Sequence, residues 1–170
     1  MGAGSGVGTA AVQIAKLHGT RVIAVASTDD KLAKAADLGA DAGINYAKQD
    51  LGQEIRRLTG KRGVDVVFEH VGGAAWEKLI PNIAPGGRLV TCGATAGYDA
   101  KVDIRFLFSK SIAILGAFMG CKVDLLEVVR YMAEGKLRPV VDRTLPLSEC
   151  ARAHRLIEDR AVFGKVVLLP

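Results

Sequence analysis

Cysteine is scarce in this chain of 170 residues: only Cys92, Cys121 and Cys150 occur. They stand about thirty residues apart, form no CxxC pair and join no Cys/His cluster at metal-ligand spacing. A disulfide framework and a structural metal motif are thereby excluded, and reduced thiols with packing roles are expected. No apolar run approaches the roughly 18–20 residues that span a bilayer. Residues 1–20 also lack the basic and apolar regions of a secretory signal. A cytoplasmic protein with no membrane partner is expected. Charge of one sign is not gathered anywhere either. Lys and Arg number 23 against 18 Asp and Glu, a net +5, and the two signs are interspersed. Without a basic stripe or a reader motif, no nucleic-acid partner is expected; a mildly basic surface suits a polyanionic cofactor equally well. The chain has no nucleophile elbow, no Ser/His/Asp grouping and no carboxylate pair, since Asp65 and Glu69 merely bracket a strand. No catalytic residue is assigned.

What the chain does have is glycine, 20 residues of it, in a composition 49% hydrophobic and 24% charged that is typical of a globular fold. Its length suits one ordinary domain. Glycines at 2, 4, 6 and 8 lead straight into Ala10-Ala11-Val12-Gln13-Ile14-Ala15-Lys16, which reads as a helix. A glycine-rich turn that opens a helix lets a phosphate approach backbone N–H groups, where the helix dipole favours negative charge. The spacing is not a literal GxGxxG, because the third glycine of that pattern falls on Val7 or Thr9. The surrounding strand–helix alternation supports the nucleotide reading.

That alternation runs along most of the chain. Helix 7–17, closed by Gly19, is followed by strand 21–26 and a helix over 31–38 capped within Ser27-Thr28-Asp29-Asp30. Strand 42–46, a helix over 51–58 and strand 64–69 come next. A helix around 76–83, a turn at Pro85-Gly86-Gly87, strand 88–91, an irregular stretch 95–110 and strand 111–117 complete the series. Such a pattern predicts an α/β fold with a doubly wound parallel sheet, the Rossmann topology. Residues 121–170 break the rhythm, with a helix over 123–134, an extended stretch through Pro139 and Pro146, a helix over 149–160 capped by Ser148, and strand 164–169. A dinucleotide-binding domain over 1–120 and a separate C-terminal segment over 121–170 are expected.

In this topology ligands lie beyond the carboxyl ends of the strands. Gly4, Ser5, Gly6, Val7 and Gly8 are therefore candidates for the pyrophosphate, and His70, Val71, Gly72, Cys92, Gly93 and Ala94 for further cofactor contacts. His70 is a weak candidate for a general acid or base; His18 and His154 read as surface or packing residues. An NAD site usually has a carboxylate at the end of the second strand, but this strand ends in Ala26-Ser27-Thr28. With nothing there to repel a 2′-phosphate, and Lys31 one helical turn on, NADPH is expected over NADH. In the plainer reading, Ser27 and Thr28 cap the helix and Lys31 is solvated.

The run Gly4-Ser5-Gly6-Val7-Gly8-Thr9-Ala10-Ala11-Val12-Gln13-Ile14-Ala15-Lys16 resembles the cofactor turn of medium-chain dehydrogenases/reductases, nearest their quinone oxidoreductase and zinc-type alcohol dehydrogenase branches. The likeness continues through Leu38-Gly39-Ala40-Asp41, Gly63-Val64-Asp65-Val66-Val67, Gly86-Gly87-Arg88 and Gly164-Lys165-Val166-Val167-Leu168, and so covers essentially the whole chain. It implies that Ser27, Lys31 and Tyr46 surround the 2′-phosphate and that Phe118 and Met119 lie near the nicotinamide. The activity it implies is hydride transfer between NADPH and a carbonyl, a quinone or an activated alkene. Full-length members carry a GroES-like domain ahead of the glycine turn, with the substrate pocket and any catalytic zinc. Without it, no zinc site is expected here, the isolated chain is expected to be inactive, the first strand is a stub at Met1–Ala3, and 121–170 lacks most of its packing partner. Apolar Val166–Leu169 would then be an open strand edge unless covered. Marginal stability or a compensating homodimer through the edge strand Ile112 to Ala117 follows. A non-catalytic nucleotide-binding or dimerisation module, and an enoyl reductase, are the alternatives.

Overall fold

The structure is a computed structural model describing residues 1–170. In chain order, the first elements are α1 (Gly6–Leu17), β1 (Ile23–Ala26), α2 (Asp29–Asp37), β2 (Ala42–Asn45) and α3 (Leu51–Leu58). Then come β3 (Val64–Glu69), α4 (Ala75–Leu79), β4 (Ile83–Thr91), α5 (Ile104–Lys110) and β5 (Ala113–Gly116). The chain ends with α6 (Lys122–Ala133), β6 (Val141–Pro146), α7 (Cys150–Glu158) and β7 (Lys165–Leu169). Helices and strands alternate, and β3–β4–β5 and β6–β7 are parallel, as the α/β pattern predicts.

The residues group into two compact units: Ala3–Gly43 with Cys121–Pro170, and Met1–Gly2 with Ile44–Gly120. In the first, α1 begins where Ser5 is extended and its Oγ accepts the Gly8 N–H at 2.9 Å. Thr28 does the same for α2, accepting the Lys31 N–H at 3.3 Å, and Asp29 and Asp30 in the first turn complement the helix dipole. Between these elements Ala3, Val12, Ala24, Ala35 and Phe163 form a buried cluster, with Val22, Leu32, Leu38, Ala40 and Val140 packed against it. Burying a side chain such as Phe163 contributes about 1.5–3 kcal/mol. The C-terminal segment thus supplies part of the core around the glycine turn. β7 pairs with β6 along one side only, in a two-stranded sheet, and so remains a strand edge as expected; its Val166, Val167 and Leu168 are half-buried, while Lys165 and Leu169 are exposed. Met1–Ala3 form no strand; the Ala3 N–H donates to the Val25 carbonyl (3.0 Å), and in the other unit the Met1 amino group donates to the Phe68 carbonyl (2.8 Å).

In the second unit β4 lies between β3 and β5. Here three sequence expectations need correction. The helix expected around 76–83 ends at Leu79, and Ile80–Asn82, with Pro81 at its start, tighten into a 3₁₀ turn. Ile83 is already strand. Pro85-Gly86-Gly87 is no free turn but lies inside β4: Val64 pairs with Ile83 and Val66 with Arg88, so β4 carries the extra residues as an irregular bulge. The stretch 95–110 contains helix α5, started by Asp103, whose Oδ1 accepts the Arg105 N–H at 3.0 Å. In the other unit Ser148 is not a helix cap; it lies within the 3₁₀ turn Leu147–Glu149, and α7 begins only at Cys150.

Candidate cofactor site

Side chains pack closely over the glycine turn. A Cβ on the buried Gly4 would stand 3.0 Å from Lys31 Cδ and 3.2 Å from Phe163 Cδ2. One on Gly6 would meet the Lys165 stem at 2.6 Å and its Nζ at 3.1 Å. The turn is also fastened to β7, since the Gly164 N–H donates to the Gly4 carbonyl at 2.8 Å and Ser5 bridges Gly164. Among the first N–H groups of α1, that of Gly8 is taken by Ser5 Oγ and that of Thr9 by the Ser5 carbonyl. Those of Gly6 and Val7 have no partner within the helix. No acidic residue stands in the first turn. The Gly6 N–H is turned to the Gly164 carbonyl by the parallel Ser5–Gly164 bridge, and the positive end of α1, with two lysines beside its glycines, suits a phosphate.

Lys31 is half-buried, and its ammonium donates to the Arg160 carbonyl at 2.5 Å. It is therefore not simply solvated, and its stem covers the glycine turn. Ser27 is half-buried at the end of β1, while Thr28 is the residue that caps α2. Lys165 escaped the sequence reading as a site residue. Its only signal was its place in the Gly164–Leu168 run, because nothing in spacing connects residue 165 with residue 6.

In the other unit the ends of β3 and β4 are laced together. The Cys92 N–H donates to the Glu69 carbonyl (3.3 Å), Thr95 Oγ1 to the His70 carbonyl (3.0 Å) and the Ala96 N–H to the Val71 carbonyl (2.7 Å). Gly72 bridges Gly97 with φ at +79°, and a Cβ there would run into the Gly97 carbonyl. The structure thus brings His70, Val71 and Gly72 beside Cys92, Gly93 and Ala94. His70 is half-buried, with its ring 6.0 Å from that of Phe68. Burial holds its pKa below the usual histidine value, the amino-terminal ammonium of Met1 lowers it further, and Glu69 opposes them. Tyr46, just past β2, is 40% exposed, and Phe118 and Met119, beyond β5, are exposed. Glu69, at the centre of the β3 turn, was passed over in the sequence as a strand end; it is fully buried. No group of three or more His, Cys, Asp or Glu side chains is placed to hold a metal ion. No helix is long and apolar enough to cross a membrane.

The chain is similar to known proteins along its whole length. The family of zinc-binding dehydrogenases matches residues 6–134. The NAD-dependent alcohol dehydrogenase of Saccharolobus solfataricus is 33% identical over all of this chain and 49% of its own length. A solved NAD-dependent alcohol dehydrogenase is 48% identical, with a TM-score of 0.93 over 100% of this chain and 50% of that one. A crotonyl-CoA carboxylase/reductase solved in complex with NADP is 25% identical, with a TM-score of 0.92 over 99% of this chain and 48% of that one. Other relatives bear the names quinone oxidoreductase and crotonyl-CoA reductase. The chain spans about half the length of the curated relatives it matches. A family match over most of its residues, on an α/β fold shared with solved dehydrogenases, makes this chain a member of the zinc-binding dehydrogenases, within the medium-chain dehydrogenases/reductases, with their Rossmann-like nucleotide-binding fold.

Proposed function

We propose that the chain is the cofactor-binding part of an NAD(P)-dependent oxidoreductase acting on a carbonyl, a quinone or an activated alkene, with NADPH preferred over NADH. The observation that carries the reading is the glycine turn at the start of α1, with no acidic residue in the helix's first turn and with Lys31 and Lys165 alongside. These groups hold the phosphates; in the other unit the strand-end residues His70, Val71, Gly72, Cys92, Gly93 and Ala94 are proposed as further cofactor contacts. When bound, the nicotinamide supplies or accepts the hydride. No side chain of this chain is assigned to the chemical step. The preference for NADPH rests on Ala26-Ser27-Thr28, which present no carboxylate, and on Lys31 beside Gly4. Ser27 and Tyr46 complete the proposed 2′-phosphate set, and Phe118 and Met119 are proposed to lie by the nicotinamide.

The relatives named crotonyl-CoA reductase favour an enoyl thioester as the activated alkene. A further reading is a module that binds cofactor without turnover, since no side chain of this chain is assigned to the chemical step. Titrating the full chain with NADPH and with NADH, then assaying NADPH oxidation with a quinone, an aldehyde and an enoyl thioester, separates these readings. Tighter NADPH binding with turnover supports the oxidoreductase, and binding without turnover supports the module. Tighter NADH binding sinks the preference, and no binding of either sinks the nucleotide reading.

A further inference from the structure

We infer that Glu69 is a positioning residue, whose buried carboxylate fixes the turn at residues 70–72 in the shape that receives the nucleotide. The inference rests on the reading of the chain as a nucleotide-binding domain and names a residue that reading did not use. Glu69 ends β3 with no exposed surface. An unpaired carboxylate there would be strongly disfavoured. Instead, Oε1 accepts the Val71 N–H at 2.7 Å, and Oε2 accepts both the Gly72 N–H at 2.9 Å and the Trp76 indole N–H at 2.9 Å.

The donors show what the carboxylate is for. Two are consecutive backbone amides of the turn, and the third anchors the turn to the first residues of α4. With the amides of Val71 and Gly72 drawn inward, the carbonyls of His70 and Val71 face the other way, onto Thr95 Oγ1 and the Ala96 N–H. The turn is therefore gripped from both sides, one grip made by the 92–97 loop and the other by Glu69. A strand that needed only an apolar end would place a Val or an Ile here. A carboxylate is required because three N–H donors converge on two atoms, and only a group with acceptors at both satisfies them.

That requirement makes Glu69→Gln a discriminating substitution. Glutamine keeps the volume, but one of its two terminal atoms is itself a donor. Whichever way the amide turns, at least one of the three N–H groups faces another N–H. Trp76→Phe is the milder partner, removing one donor while leaving the carboxylate on both backbone amides. Trp76 is the only tryptophan of the chain, so its emission reports on the grip without a label.

The test uses the full chain, NADPH binding by calorimetry, and amide hydrogen exchange. In Glu69→Gln the Val71 and Gly72 amides lose protection, the Trp76 emission shifts, the β3 amides of Val66 to Phe68 stay protected, and NADPH binds about tenfold more weakly. Trp76→Phe weakens binding about two- to threefold, with Gly72 deprotected more than Val71. If Glu69→Gln does not fold, Trp76→Phe decides alone. Wild-type affinity in the variants overturns the role of Glu69, as does weakening accompanied by loss of protection throughout β3 and β4. A wild-type chain that binds neither NADPH nor NADH overturns the nucleotide reading itself.

Discussion

Lys165 and Lys31 approach the glycine turn at different points, and their effects should separate. Lys165 lies over Gly6, at the start of α1, where the pyrophosphate common to NADPH and NADH is proposed to sit. Lys31 lies over Gly4 and starts from the first turn of α2, just past Ser27 and Thr28. Replacing Lys165 by Met is expected to weaken both cofactors by about tenfold, as for one lost charged hydrogen bond. Lys31→Ala is expected to weaken NADPH alone by a similar factor, because NADH offers it no 2′-phosphate. Calorimetry with both cofactors on both variants checks this; equal losses in Lys31→Ala would remove that lysine from the 2′-phosphate set. His70 carries a pH dependence that needs no ligand. Its folded pKa is lowered, by burial above all, from the ordinary value of 6.5. As pH falls below that value the unfolded chain takes up a proton that the folded chain resists, so stability is present above it and is lost on the way down to the folded pKa. The carboxylates held low by their own partners, Asp41 and Asp50 among them, titrate below this window. Urea midpoints measured from pH about 8 to about 5 should fall for the wild type, and His70→Gln should lose that part of the slope. An unchanged slope in the variant would exclude His70 as its source.

At the level of elements, what was legible in the sequence is what local chemistry decides. Helix α3 is bounded by Asp50, whose side chain caps Gln53, and by Gly60, and its apolar Leu51 and Ile55 are buried one turn apart; the residues alone fix its ends. Strand β3 is likewise a β-branched run closed by Gly72 and Gly73. The misreadings arise where a distant partner overrides the local signal. Pro85-Gly86-Gly87 has every local mark of a turn, yet the pairing of Ile83 and Arg88 with β3 carries the strand across it. Helix α5 was hidden for the opposite reason. Ile104 and Phe108 are 68% and 74% exposed, so no buried stripe marks a helical period there. Ser148 looked like a cap because of its residue type, but Pro146 before it and the 3₁₀ turn around it delay the helix to Cys150. The candidate site divides along the same line. The glycine turn, Ser27, Lys31 and the strand-end glycines were visible as types at meaningful places. Lys165 over Gly6 and the three donors on Glu69 arise only from tertiary contact, which no spacing rule encodes.

For the molecule as a whole, the open question is what meets its exposed apolar surface. Strand β5 is the edge of its three-stranded sheet, all four of its residues are exposed, and Ile114 and Leu115 are 37% and 45% accessible. An apolar edge with unpaired N–H and C=O groups is a template for another strand. We propose that a second copy occupies it: two β5 edges meeting about a twofold axis would satisfy each other's backbone groups and cover Ile114 and Leu115 in both protomers. Helix α6 offers a competing surface, for Val123, Leu125, Leu126 and Val129 are all more than half exposed and none of its residues is buried. The two surfaces separate by substitution. Sedimentation of the wild type should show a dimer that dissociates on dilution, with its urea midpoint falling as it does so, because association favours the folded state by mass action. Leu115→Lys should yield a monomer whose midpoint is independent of concentration, while Leu126→Lys should leave the dimer intact. The reverse pattern would move the interface to α6, and a wild type that stays monomeric at every attainable concentration would leave the β5 edge without this partner.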